Sequence, residues 1–439
     1  MTAVTVRYFV MMHGRIPLSL LIILSIGLAG CRKEKEDRGP VIEIASPAAG
    51  TTLHVPDTLA VNVTVTDDEL VTSVRITLED HNGIPIAPTI IEDVNAPDAT
   101  LQRQIIVSEP MIAAGSYSLA VRASDGNTTT SAFRSVNVLE ADRRLRAVFI
   151  VQRNGGSLQR IDSTGNVTEF AAFPQIAEAE VNSFGQHLYI ASDPFSPLEV
   201  IATSSNSSSW QLQNNNTGVG HYFTSITTDH TDDRTYISSN DGAIRGYRSG
   251  NVTLFNAQAQ PDFIPYANMV IGDRFLSEQR ALVGSEARLV AYTYMNGAFL
   301  QNFDLDLRIV RMFAASDQHA IIFGNRNGEG VIELRNVQLG GDQELRSFPE
   351  GEIRSVAALG DDLFAVLLPD RVVRYDRGSN TAATVYPASA DAIAFDKVNG
   401  VLFVGVDQEL LSIDPATGAV INTLPLPVAI GKILPLFDR

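Results

Sequence analysis

The chain has 439 residues with 33 basic and 50 acidic side chains, a formal net charge of −17, one Cys and one Trp. A length of this order suits two or three domains, and 45% apolar with only 19% charged residues excludes a disordered chain. The acidic balance, with Lys only at positions 33, 35, 397 and 432, argues against nucleic-acid binding, and a single Cys excludes a disulfide framework or a Cys-cluster metal site.

Arg7 and Arg15 are the only formal charges before position 31, and an apolar run extends from Ile16 to Leu28. That run is shorter than the ~20 residues a spanning helix needs and has the length of a secretory core segment. It ends in Leu28-Ala29-Gly30-Cys31, where small residues stand directly before the sole Cys. This resembles the bacterial lipobox. The resemblance implies a leader over residues 1–30, lipidation of Cys31, and anchoring by several acyl chains, since one alone holds weakly. Losing Arg7 and Arg15 takes the net charge from −17 to −19. Residues 31–40 carry the charged run Arg32-Lys33-Glu34-Lys35-Glu36-Asp37-Arg38, which reads as a solvated tether. The run also resembles the tract that sends Bacteroidetes lipoproteins to the cell surface. The residue directly after Cys31 is Arg32 and not Asp. The implied address is the outer membrane, at the cell surface or on the periplasmic face.

From Val41 the pattern has a period of two. Apolar residues fall on odd positions from Leu59 to Val65 and on even positions from Val74 to Leu78. Further strands are expected at Gln104–Val107, Tyr117–Ala123 and Phe133–Leu139, with a turn at Asn82-Gly83. About seven short strands in about 100 residues suit a β-sandwich. The stretch from Gly115 to Asn127, with Tyr117, Leu119, Val121, Ala123 and Asp125 at alternate places, resembles the late strands of bacterial Ig-like repeats. The resemblance covers residues 41–139 and implies a spacer. Asp67, Asp68 and Asp125 have the oxygen chemistry for Ca²⁺, but turn solvation is the plainer reading.

From Arg146 onward one unit recurs. Segments beginning at Leu158, Leu198, Ile244, Leu289, Ile332, Val372 and Leu410 are spaced by 38 to 46 residues, each preceded by an apolar strand. Such a period of short strands is that of a β-propeller, and seven units predict seven blades over residues 146–439. Ala394-Phe395-Asp396-Lys397-Val398-Asn399-Gly400 and Leu411-Ser412-Ile413-Asp414-Pro415 resemble the hairpins of NHL-, YVTN- and YncE-like propellers. That resemblance speaks to fold, because such propellers do many things. The whole chain is therefore expected to be all-β, an Ig-like sandwich followed by a seven-bladed propeller. The first blade lacks an inner strand before Val148, and the apolar segment Ala429–Phe437 is one strand in excess. The C-terminal segment is therefore expected to close the ring.

Loops feeding the inner strands place Glu178, His221, Tyr222, Asp262, Tyr266, Arg308, Arg354 and Asp391 at the channel mouth, with Glu180 and Arg311 close by. A metal-dependent lactonase would need carboxylates plus Asn or His on one cation. His187, His230 and His319 fall at turns on the opposite rim, so no metal site is expected. Tyr222, Phe263, Tyr266, Tyr292 and Tyr294 fit a sugar platform or, more simply, blade core. No nucleophile, phosphate-loop or dinucleotide motif occurs, and Asn154-Gly155-Gly156 reads as a hairpin turn. No catalytic residue and no cofactor is assigned. The expected role is a non-catalytic module that binds an unknown protein or glycan. The alternative is a propeller enzyme of the lactonase, lyase or glycan-cleaving kind with a polar site at the mouth.

Overall fold

The computed structural model describes residues 38–109, 112–218, 220–229, 233–248 and 251–438, and the description below is confined to them. Cys31, the leader and most of the charged tether lie outside these residues, as does His230. The described residues contain no helix. The chain divides into two compact units, one ending at Glu140 and the other beginning at Ala141.

The first unit has six strands, fewer than the sequence pattern suggests, because two of the expected segments belong to one longer element. Leu59–Val65 and Val74–Leu78 belong to one 23-residue strand, Asp57–Glu79. Its pairing with Ile90–Val107 shifts register between Thr66 and Val71 and again between Val71 and Ser73. A bulge changes which parity faces inward. That is why Val61, Val63 and Val65 are buried on odd positions while Val74, Ile76 and Leu78 are buried on even ones. Ile90–Val107 is half-exposed along most of its length, and its polar residues conceal it in the sequence. The remaining strands run Val41–Ser46, Gly115–Ser124, Thr129–Leu139 and a short Thr51–His54, which pairs in parallel with Val136 to Leu139. Asp80 accepts the amides of Asn82 and Ile84, both at 2.8 Å, and Gly83 has φ +77° at the turn.

The second unit consists of seven four-stranded sheets, each antiparallel and in chain order except one. The exception joins Ile430–Phe437 to Leu145–Gln152, Ser157–Asp162 and Val167–Ala172. Lys432 opposes Val151, Leu434 opposes Phe149 and Leu436 opposes Ala147. The first strands of the seven sheets are Glu178–Asn182, Phe223–Thr228, Phe263–Ile271, Arg308–Ser316, Ser355–Ala358, Ala392–Asp396 and Ile430–Phe437. Each neighbours the next, and the last returns to the first, so they line a closed ring. Second strands such as His187–Ala191 and Leu363–Leu367 are buried almost throughout, which requires apolar residues on both faces.

The cores lie between sheets. Leu434 and Leu436 pack with Phe149, Leu188 and Val181 on one side of the closing strand. Ile430 and Ile433 pack with Val148, Ala394 and Phe403 on the other. Glycines matter at two close approaches. A Cβ on Gly156 would lie 1.6 Å from the Phe173 carbonyl oxygen, and one on Gly431 would lie 2.9 Å from Arg153 Cα.

Candidate functional site

The ring of inner strands surrounds a cavity of about 700 Å³, and every one of the seven contributes to its wall. An inner strand has a paired neighbour on one side only, so its other edge borders the channel. Four of these strands change register near their first residues: between Phe223 and Ser225, Pro265 and Asn268, Ile309 and Arg311, and Ile430 and Lys432. Bulges of this kind re-aim side chains next to sites. Arg311 and Lys432 each follow one directly.

Of the eight residues expected at the mouth, Glu178, Arg354 and Asp391 line the cavity. The other five stand elsewhere. Tyr222 is buried in an intersheet core, edge-on to Phe223, and its hydroxyl donates to Asp241 Oδ2 at 2.7 Å. Its large apolar ring wins the burial, and burial raises the phenol's pKa. Tyr266 lies beneath the Arg280 guanidinium, 4.2 Å from ring centroid to carbon, so its face is taken. Arg308 turns outward and donates to the Ser285 carbonyl at 3.1 Å. Asp262 is exposed at a positive-φ turn, where its carbonyl accepts from Leu282 N at 2.8 Å. His221 is exposed, and its carbonyl accepts from Asn240 Nδ2 at 3.3 Å. The suggested aromatic platform is dispersed likewise: Tyr292 is core, Arg288 covers Phe263 and Arg234 covers Tyr294.

The carboxylates of the cavity are engaged. Lys432 Nζ lies 2.5 Å from Glu178 Oε1, 2.7 Å from the Ala179 carbonyl and 3.7 Å from Glu180 Oε2. Burial opposes the charge on Lys432, but Glu178 and Glu180 outweigh it and hold the amine above its ordinary range. Asp391 accepts from Arg153 and from the Asp407 amide at 2.8 Å, and Arg153 also reaches Asp407 Oδ1 at 2.9 Å. Asp229 Oδ2 accepts from Tyr294 at 3.3 Å.

The cations are engaged less. Among the described residues, the side chains of Arg311, Arg354 and Arg143 have no ion pair or hydrogen-bond partner, although all three line the cavity. Lys397, at the other end of the inner strands, has its amine 5.2 Å from the Phe437 ring centroid. Burial, and then the charge of Arg143, lower its pKa. In the wall, Asn268 donates to Ser238 Oγ at 2.9 Å and to Ser225 Oγ at 3.3 Å, while its buried Oδ1 has no partner.

Sequence reasoning assigned no site role to Lys432, Lys397 or Arg143. Lys432 had one signal, being one of four lysines and lying in the excess C-terminal strand. Other buried charges are paired away from the cavity. Glu278 accepts from Arg280 at 2.8 and 2.9 Å and from Ile309 N at 3.1 Å, and Glu333 is held by Arg326 and Arg335. No group of three or more His, Cys, Asp or Glu that could hold a metal ion occurs among the described residues. In the first unit, Asp67 accepts from the amides of Glu69 and Leu70, and Asp125 from those of Asn127 and Thr128. Both cap turns.

The family model of a bacterial Ig domain matches residues 40–121. No curated protein matches the chain. Among solved structures, the chain is similar to a quinonprotein alcohol dehydrogenase-like protein from Bacteroides thetaiotaomicron, with TM-score 0.49 and 12% identity over 92% of this chain and 100% of that one. It is similar to a β-propeller domain from Myceliophteria thermophila, with TM-score 0.45 and 11% identity over 59% and 90% of the two chains. A protein of unknown function from Bacteroides caccae gives TM-score 0.41 and 15% identity over 57% and 98%. Likenesses this distant carry nothing about activity.

Proposed function

We propose that this chain is an outer-membrane lipoprotein, anchored through Cys31 and exposed at the cell surface. Its Ig-like sandwich spaces a seven-bladed propeller of the NHL/YVTN/YncE-like kind from the membrane. The propeller binds a protein or glycan at its channel mouth without catalysis. The anchor rests on Ala29-Gly30-Cys31 after the apolar run and on the absence of any other Cys. The binding role rests on one observation, the cavity of about 700 Å³ walled by all seven inner strands. Its volume lies within the ~300–1,000 Å³ of ligand pockets.

The engaged carboxylates support binding over catalysis. A general base must be free to take a proton, and Glu178 and Asp391 are committed to Lys432 and Arg153. The test uses the full chain in detergent on arrays of glycans and extracellular proteins, with mass analysis of whatever is captured. Saturable capture of an unaltered ligand is expected, and it should be lost in Ser355→Phe, which adds a ring to the cavity wall. Capture indifferent to Ser355→Phe would move the site off the channel, and release of a cleaved product would restore the enzyme reading.

A further inference from the structure

The cavity wall departs from the charge of the chain. Against a net charge of −17, it holds five cations, Arg143, Arg311, Arg354, Lys397 and Lys432, and four carboxylates, Glu178, Glu180, Asp229 and Asp391. Pairing sharpens the difference. Lys432 serves Glu178 and Glu180, Arg153 serves Asp391, and Asp229 accepts from Tyr294. Arg311 and Arg354 have no acceptor for either guanidinium among the described residues. A surface Arg extended into bulk water needs none. Arg311, by contrast, is half-buried in the channel wall, and Arg354 stands exposed at the mouth on the neighbouring inner strand; a bound anion would relieve the repulsion between two unpaired cations on one channel.

The backbone fixes both residues at the mouth. Arg311 follows the register shift after Ile309, in the strand Arg308–Ser316. Arg354 immediately precedes the neighbouring inner strand Ser355–Ala358. The residue before it is clamped: Ile353 N donates to Asn325 Oδ1 at 2.7 Å, and Asn325 Nδ2 donates to the Ile353 carbonyl at 2.9 Å. Arg354 N then donates to the Leu367 carbonyl at 2.9 Å. The two guanidiniums are thus carried on rigid, adjacent elements, as recognition groups should be.

Resting on the channel-binding reading above, we propose that the ligand is an acidic oligosaccharide whose carboxylate is held by Arg311 and Arg354. A guanidinium fork matches a carboxylate with two parallel hydrogen bonds. Besides these arginines the wall offers hydroxyl groups at Thr227 and Ser355 and an aromatic ring at Phe313. That mixture suits a pyranose, which has polar edges and apolar faces.

The test is calorimetry on the full chain in detergent, with trigalacturonate, a neutral galactose oligomer of equal length and hexaglutamate as probes. Trigalacturonate should bind, and added salt should weaken it. Arg311→Gln and Arg354→Gln should each weaken it by about tenfold or more, and the corresponding Lys variants should recover part of the loss. Neither Gln variant should change the melting temperature, because neither guanidinium has a partner in the chain. No binding of trigalacturonate, equal binding of the neutral oligomer, or indifference to both Gln variants overturns the proposal. Tighter binding of hexaglutamate overturns the sugar assignment. A neutral glycan whose capture is lost in Ser355→Phe would sink the anionic inference alone and leave channel binding standing.

Discussion

Replacing Leu434 by Ala tests whether the C-terminal strand holds the second unit together. Leu434 is 3% exposed, opposes Phe149 and packs with Leu188 and Val181 of the adjoining sheet. Truncating a buried Leu to Ala costs about 2–5 kcal/mol, the transfer of the lost atoms plus the cavity left behind. With about 2.1 cal/mol/K of unfolding entropy per residue, a unit of roughly 300 residues loses about 1 °C for each ~0.6 kcal/mol. The expected fall in Tm is therefore about 3–8 °C, read by calorimetry as a shift of the whole second-unit transition. Ile421 is the control. It is 62% exposed on an outermost strand, and its change to Ala should move Tm by less than about 1 °C. Truncation after Pro427 is the stronger version. It removes Ile430, Ile433, Leu434, Leu436 and Phe437, all buried, at roughly 1.5–3 kcal/mol each. That sum is comparable with the whole stability of a domain. A truncated chain that melts at the same midpoint, or a Leu434→Ala variant indistinguishable from Ile421→Ala, would refute closure by this strand.

Three further outcomes are expected. Gly156→Ala should destabilise the second unit by about 1–3 kcal/mol in chemical denaturation, because the new Cβ would meet the Phe173 carbonyl that follows the strand Val167–Ala172. Hydrogen bonds from the Thr164 hydroxyl, and then from the Asn166 and Thr164 amides, lower Asp162 from 3.8 to about 2. Its contribution to stability is therefore present above about pH 4 and lost as the pH falls toward 2, so the Tm gap between the native chain and Asp162→Asn should close over that window. Cys31→Ala should release the protein from the membrane fraction, and protease treatment of intact cells should degrade the native protein; retention of the variant in membranes would sink the anchor.

The seven-sheet repeat is legible because each unit carries its own apolar second strand, and those strands must bury both faces wherever they occur. The closing strand is legible for a related reason, being an apolar segment left over at one end while the strand pairs at the other end lack one. Local pattern misleads where the backbone departs from regular pairing. The switch from odd to even apolar positions between Val65 and Val74 reads as two strands. It is one strand whose bulges near Val71 reset the inward parity. Ile90–Val107 hides because its long edge is half-wet, so its alternation is diluted by Glu92, Asp93 and Asp98.

The site shows the same limit more severely. Alignment of repeats finds which loops reach the mouth, and through them Glu178, Arg354 and Asp391. It does not find which way a side chain turns there, because four inner strands shift register at that end. One such shift separates Tyr266 on its strand from Asn268, which lines the cavity, and leaves Tyr266 under Arg280. Nor does any local signal join Lys432 to Glu178, which are 254 positions apart in sequence and meet only when the ring closes. That pairing decides the character of the channel. With Lys432 withdrawn, Glu178 and Glu180 would be unpaired carboxylates in a wall that also holds Arg311 and Arg354. With Lys432 in place, the carboxylates are occupied and the arginines are left over. The strand that closes the fold is thus also the one that neutralises two carboxylates of the channel wall. Charges beyond a Debye length of about 8 Å are screened by salt, while those inside the channel are screened much less. An anion feels little of the chain's net charge until it is near the mouth. Once inside it meets the local excess of arginine, so selectivity resides in the channel and not in the field around the protein.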